Sequence, residues 1–83
     1  MINHPQPLTA LTKGESAVVK GFSENMSVDC RKLLQHLGIT RQTEIKLIRR
    51  APLGDPLQLQ ILGGRISLRA SEAQHIYVEK NAK

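Results

Sequence analysis

Apolar and polar residues alternate along most of the second half of this chain, and that period of two is its strongest structural signal. Over Thr43–Arg50, Leu57–Leu62 and Arg65–Arg69 it sets Ile45, Leu47, Leu57, Leu59, Ile61, Ile66 and Leu68 on an inward side, predicting three strands of an antiparallel meander. Leu53-Gly54-Asp55-Pro56 supplies turn chemistry between the first two runs, and Gly63-Gly64 between the next two can provide the positive φ angles of a tight hairpin. A β-branched stretch from Ala17 to Phe22 predicts an earlier strand, with Val18 and Phe22 on one face, Val19 on the other and a bulge or tight exit at Gly21. Ile76–Glu79 resumes the alternation as a final short strand.

Between the first strand and the meander the period changes. Ser27 is a good N-cap and Asp29 sits where the helix dipole favours a carboxylate. At a hundred degrees per residue Cys30, Leu33, Leu34 and Leu37 share one arc, with Arg31, Lys32, Gln35 and His36 outside it, so the pattern is a core-facing amphipathic helix of about three turns. Gly38 can take the left-handed conformation that closes the helix, Ile39 packs back over it, and Thr40–Gln42 turns into the meander. Ser71-Glu72-Ala73-Gln74 reads as a single helical turn capped by Ser71.

Residues 1–12 hold Pro5 and Pro7 and no periodic pattern, so they read as a tail with Leu8 and Leu11 tucked against the core, ending at a Lys13-Gly14 turn. Residues 13–80 form the domain, and residues 81–83 are expected to fray. The predicted class is mainly β, with about five strands, one amphipathic helix and a short helical turn. Strands so short must curl to hide their edges, which points to a small antiparallel barrel.

Composition narrows the function classes. Eighty-three residues make one small domain without room for a cleft between two, so an enzyme of ordinary architecture is not expected. One cysteine excludes an internal disulfide framework and fits a reducing compartment, so the expected location is the cytoplasm. No run of eighteen apolar residues exists, and the N-terminal stretch lacks the apolar segment of a signal peptide; the expectation is a chain neither exported nor membrane-spanning. A formal charge of +5 suits nucleic acid, an anionic lipid surface or an acidic partner.

Candidate chemistry is sparse. There is no nucleophile elbow and no phosphate-binding loop. Cys30 lies on the apolar arc of its helix and reads as a small buried hydrophobe. His4, His36 and His75 are scattered, and Cys30 and His36 point away from each other on the helix, so no metal site is assigned; an independent metal-binding protein is the weaker alternative. Arg31, Lys32, Arg41, Lys46, Arg49, Arg50, Arg65 and Arg69 form the loose basic set that a nucleic-acid-binding barrel would use, which makes that the other alternative. Such barrels stack bases on aromatic rings, however, and only Phe22 and Tyr77 are present. The basic residues therefore read as outward strand positions that discourage edge pairing, with a docking role for the Arg49-Arg50 pair.

The order of parts is similar to a known family. Ser27–Ile39 reads SVDCRKLLQHLGI and Thr43–Val78 reads TEIKLIRRAPLGDPLQLQILGGRISLRASEAQHIYV. The helix ending Leu33-Leu34-x-x-Leu37-Gly38-Ile39, the turn Ala51-Pro52-Leu53-Gly54-Asp55-Pro56 and the strand Ile66-Ser67-Leu68-Arg69 before Glu72-Ala73 resemble the FeoA family, the small cytosolic partners of the bacterial ferrous iron transporter FeoB. The resemblance spans roughly residues 14–79. It implies an SH3-like barrel that docks on FeoB from the cytoplasmic side and modulates it, a peripheral protein with weak self-association as an option. Iron would pass through FeoB, so ferrous iron is the transported ion or at most a weak ligand here, and no cofactor is expected. By position the candidate docking residues are Met26, Arg31, Lys32 and Gln35 around the helix, the Arg49-Arg50 pair, and the exposed turn of Leu53, Gly54, Asp55 and Pro56, with Ser27, Leu33, Leu34, Leu37 and Gly38 as structural residues. A similar barrel ends the DtxR-type iron-dependent repressors. No helix-turn-helix precedes it in this sequence, so a complete repressor is not expected.

Overall fold

The period-two runs become strands whose inward residues are buried. In the computed structural model, which describes residues 4–80, the elements are β1 (Gln6–Pro7), a 3-10 turn (Leu8–Ala10), β2 (Ser16–Phe22), α1 (Val28–His36), β3 (Glu44–Arg50), β4 (Leu57–Ile61), β5 (Gly64–Leu68), α2 (Ala70–Ala73) and β6 (Ile76–Lys80). The strands form one antiparallel sheet in the order β1-β6-β2-β3-β4-β5, wrapped around a single core. Ile45, Leu47, Leu57, Leu59 and Leu68 are fully buried, while Ile61 and Ile66, nearer the hairpin tip, are half-buried. The fraying expected at 81–83, and the first residues of the expected tail, lie outside the described residues.

Within the expected tail, Gln6–Ala10 belongs to the fold. β1 pairs with β6, Gln6 facing Val78 and Pro7 facing Tyr77, and Leu8 and Leu11 are fully buried. The sheet thus has six strands instead of about five. The anchor is Arg50, whose Nη2 donates to the carbonyls of Thr9 at 2.6 Å and Leu11 at 3.2 Å. Two prolines hide such a strand from any propensity argument, since their missing N–H groups are tolerated at a sheet edge.

β2 serves both halves of the sheet: Ser16–Val18 pair with β3, and Ala17–Phe22 pair with β6. The bulge expected at Gly21 is present as a register shift between Val19 and Gly21. Its extra residue changes the phase, so Ala17 and Val19 point inward and Phe22 also packs on the core, separating it from the half-buried Val18 with which the simple alternation grouped it.

α1 begins as expected, with Ser27 Oγ accepting from the Cys30 N–H at 3.1 Å. It ends in the predicted glycine cap: Gly38 has φ +85°, Ile39 N–H donates to Leu34 O at 2.9 Å and Gly38 N–H to Gln35 O at 3.0 Å, the paired bonds of a Schellman motif. The buried stripe is narrower than the apolar arc. Only Leu34 is fully covered, Cys30 and Leu37 are half-buried, and Leu33 is 38% exposed, because a nine-residue helix lies on the barrel along one line of contact.

Two turns also differ in detail. Of Gly63 and Gly64 only Gly64 has positive φ, and the loop joining β4 to β5 is Leu62-Gly63, since Ile61 pairs with Gly64. α2 is capped from Arg69, whose N–H donates to Glu72 Oε1 at 3.0 Å; Ser71 is exposed inside the helix. The next free N–H, that of Ala70, donates to Asp55 Oδ1 at 2.7 Å. Asp55 therefore holds α2 against the β3–β4 turn from fifteen residues away. Asp55→Ala is expected to cost about 1 kcal/mol, as other lost helix caps do, and Asp55→Asn less, because the amide oxygen still accepts; denaturant midpoints of the two variants measure the difference.

Glu15 adds a pH-dependent tie. Its Oε1 accepts from Thr12 N–H at 2.7 Å and its Oε2 lies 3.4 Å from Lys80 Nζ. The Thr12 bond first, and the ammonium second, hold this carboxyl below the ordinary value of 4.5. A depressed folded pKa gives stability that is present above the unfolded value and lost as pH falls through the folded one. Melting temperatures of the wild type and Glu15→Gln are thus expected to differ at neutral pH and to converge in acid below the ordinary carboxylate range.

Candidate docking groove

The bulge in β2 and the glycine cap of α1 together build a groove. The first turns Phe22 toward α1, and the second turns the chain sharply so that Ile39 and the Thr40–Arg41 turn face the same opening. With Met26 from the loop before the helix and Leu34 from the helix, these residues line a depression of about 150 Å³. Arg31 and Gln35, one turn apart on α1, form one rim, and Arg41 forms the other. The floor is apolar and the rim carries two guanidinium groups, neither with a carboxylate at salt-bridge distance among the described residues.

The expected docking residues divide on this geometry. Met26, Arg31 and Gln35 come together here, although Met26 is only 7% exposed and offers its side chain as floor instead of as a projecting knob. Lys32 is exposed on α1 but does not line the groove. Phe22, Ile39, Thr40 and Arg41 complete the lining and were not among the expected residues; the capped turn at Gly38 was the available signal that 39–41 double back.

The other expected residues serve the fold. Arg50 is committed to the two N-terminal carbonyls, and Arg49 Nε donates to Gln58 Oε1 at 3.1 Å on the neighbouring strand. In the turn, Gly54 supplies φ +89° and donates its N–H to Ala51 O at 2.7 Å, Ala51 N–H donates to Pro56 O at 3.0 Å, and Asp55 is spent on α2. Leu53 alone projects, at 97% exposure.

A second depression, of about 460 Å³, lies between α1 and α2 and is lined by Asp29, Cys30, Leu33, Glu72 and His75 among others. Cys30 is half-buried here, more open than the core position expected for it. Partial burial, and then the charge of Glu72, push its thiol pKa up, which keeps it protonated at neutral pH. Among the described residues no group of three or more His, Cys, Asp or Glu side chains is placed to hold a metal ion, and no helix is long and apolar enough to cross a membrane.

The model of the FeoA domain matches residues 6–80, from the edge strand β1 to the end of β6. The chain belongs to the FeoA family. Solved structures agree with that placement. The FeoA-like protein of Clostridium acetobutylicum is 32% identical with a TM-score of 0.86, covering 100% of this chain and 93% of its own. The FeoA of Stenotrophomonas maltophilia, solved with zinc and described as a prokaryotic SH3 domain protein, is 32% identical with a TM-score of 0.72 over 86% of each chain. A manganese-dependent transcriptional repressor shares the fold at 18% identity, TM-score 0.87, matching 96% of this chain but 43% of its own. A sequence comparison with functionally curated proteins finds no match. Family and fold together make this an iron-transport-related small protein with an SH3-like barrel, as the resemblance implied.

Proposed function

We propose that the chain is a non-enzymatic accessory protein of ferrous iron uptake that docks on a FeoB-type transporter from the cytoplasmic side and shifts its conformational equilibrium. The observation that carries this reading is the groove itself, an apolar floor of Phe22, Met26, Leu34 and Ile39 between Arg31 and Arg41. A floor of this size takes one aliphatic or aromatic side chain, and the two guanidinium groups suit carboxylates flanking it. So small a contact gives modest affinity and fast exchange, which is what a modulator of a transport cycle requires. The Stenotrophomonas relative is described as a candidate activating factor of bacterial ferrous iron transport, which supports the same reading.

The test is the double charge reversal Arg31→Glu/Arg41→Glu. Both side chains are exposed, so its melting temperature should stay near that of the wild type. Recovery of a polytopic GTPase by co-purification from cells in gentle detergent is expected to fall about tenfold or more, the effect of losing roughly 1.4 kcal/mol of binding. Undiminished recovery of the partner would place docking elsewhere.

A further inference from the structure

A third surface lies on the outer side of β3, β4 and β5. Partners in register stand on the same side of a sheet, so Lys46, Gln60 and Arg65 form one row across the three strands, and Arg49, Gln58 and Ser67 form the next. At ordinary strand spacing Lys46 and Arg65 are about 10 Å apart, and the two rows are separated by about 7 Å along β4. The three cations are exposed, and Arg69, exposed one residue past β5, adds a fourth at the margin. None has a carboxylate at salt-bridge distance among the described residues, and Glu44, at the start of β3, is the one acidic residue in these strands. Protection of a sheet edge accounts for Arg65 alone, because β5 is the edge strand whereas β3 and β4 are interior.

An apolar knob borders this basic face. The loop joining β4 to β5 places Leu62 wholly in solvent, although a two-residue hairpin turn ordinarily carries polar residues or glycine. Leu62 does not have positive φ and is no part of the core, so neither the turn geometry nor the packing asks for leucine there. Isolated exposed leucines are common. This one stands two residues beyond Gln60, the centre of the Lys46-Gln60-Arg65 row. Cations around a projecting aliphatic side chain suit the surface of an anionic bilayer, whose headgroups attract the charges while the acyl boundary takes the leucine. Nucleic acid is a poorer match, since none of the three strands carries an aromatic ring on which a base could stack. We infer that this face is a contact surface for anionic membrane, with Leu62 as the inserted anchor and Lys46, Arg49 and Arg65 as its electrostatic footing. None of these residues lines the docking groove, and the contact requires no transporter.

Co-sedimentation of the full chain with vesicles tests the assignment without any partner protein. The wild type is expected to pellet with phosphatidylglycerol vesicles at low salt, to stay in solution with phosphatidylcholine vesicles, and to be released from the former as salt is raised. Lys46→Gln/Arg65→Gln should weaken the partitioning about twentyfold, roughly fivefold for each cation removed. Leu62→Asp should weaken it at least about tenfold, and all these positions are exposed, so melting temperatures should stay near the wild type. The chain has no tryptophan, so Leu62→Trp supplies a single reporter whose emission should shift to the blue on phosphatidylglycerol vesicles and not on phosphatidylcholine. Failure to pellet with anionic vesicles at low salt overturns the proposal. So does partitioning indifferent to both the charge and the Leu62→Asp variants, or tight binding of an RNA probe by a chain that ignores vesicles.

Discussion

Replacing both Leu8 and Leu11 by alanine is expected to abolish cooperative unfolding, leaving a chain without a thermal transition. Each side chain is fully buried, and each truncation of this kind costs roughly 2–5 kcal/mol. A domain of this length has little more than the lower part of the usual range of about 5–15 kcal/mol to lose. Circular dichroism melts of the single and double variants, with Leu53→Ala as the exposed control, give the measurement. If the double variant melts as sharply and as late as the control, the N-terminal segment is a dispensable tail after all.

Arg50→Met is expected to be the most damaging substitution of a charged residue. The methionine keeps much of the aliphatic volume but leaves the Thr9 and Leu11 carbonyls without their donor, a loss of about 1.5–3 kcal/mol for hydrogen bonds to a charged group. Arg50→Lys should recover only part of this, because an ammonium on a flexible stem does not reproduce the guanidinium's fixed donor geometry. The effect should be local before it is global: once the segment detaches, β6 loses its β1 neighbour, and exchange of the Val78 amide should accelerate ahead of the core amides of β3 and β4. Unchanged exchange along β6 together with a wild-type unfolding midpoint would remove Arg50 from the role of clamp.

These two predictions concern the parts of the fold that the sequence conceals. Short-range signals are legible: Ser27 caps α1, Gly38 closes it, and alternation identifies β3, β4 and β5 within a residue or two. Each depends on neighbours in the chain. β1 is decided by partners some seventy residues away on β6, and the Arg50 clamp by carbonyls about forty residues back, distances over which no local pattern carries information. The same division runs through the candidate site. Arg31 and Gln35 are legible because they share a helix face, whereas Phe22 joins them only because a bulge reverses its side of the strand. From the sequence Arg50 reads as an outward strand position and Asp55 as part of an exposed turn, and only the fold reveals the backbone groups that each one satisfies.

The pairing of Gln6 with Val78 has an architectural consequence. Because β1 and β6 run antiparallel in this register, the chain enters and leaves the barrel at the same corner. A barrel of this kind can be spliced into a longer polypeptide with both connections made at one point and no strand displaced. It is equally suited to circular permutation, with Gln6 and Lys80 joined by a short linker and new ends opened at the Leu62-Gly63 loop. In the manganese-dependent repressor the matching fold fills 43% of a longer chain, so the same barrel also serves as one part of a larger polypeptide.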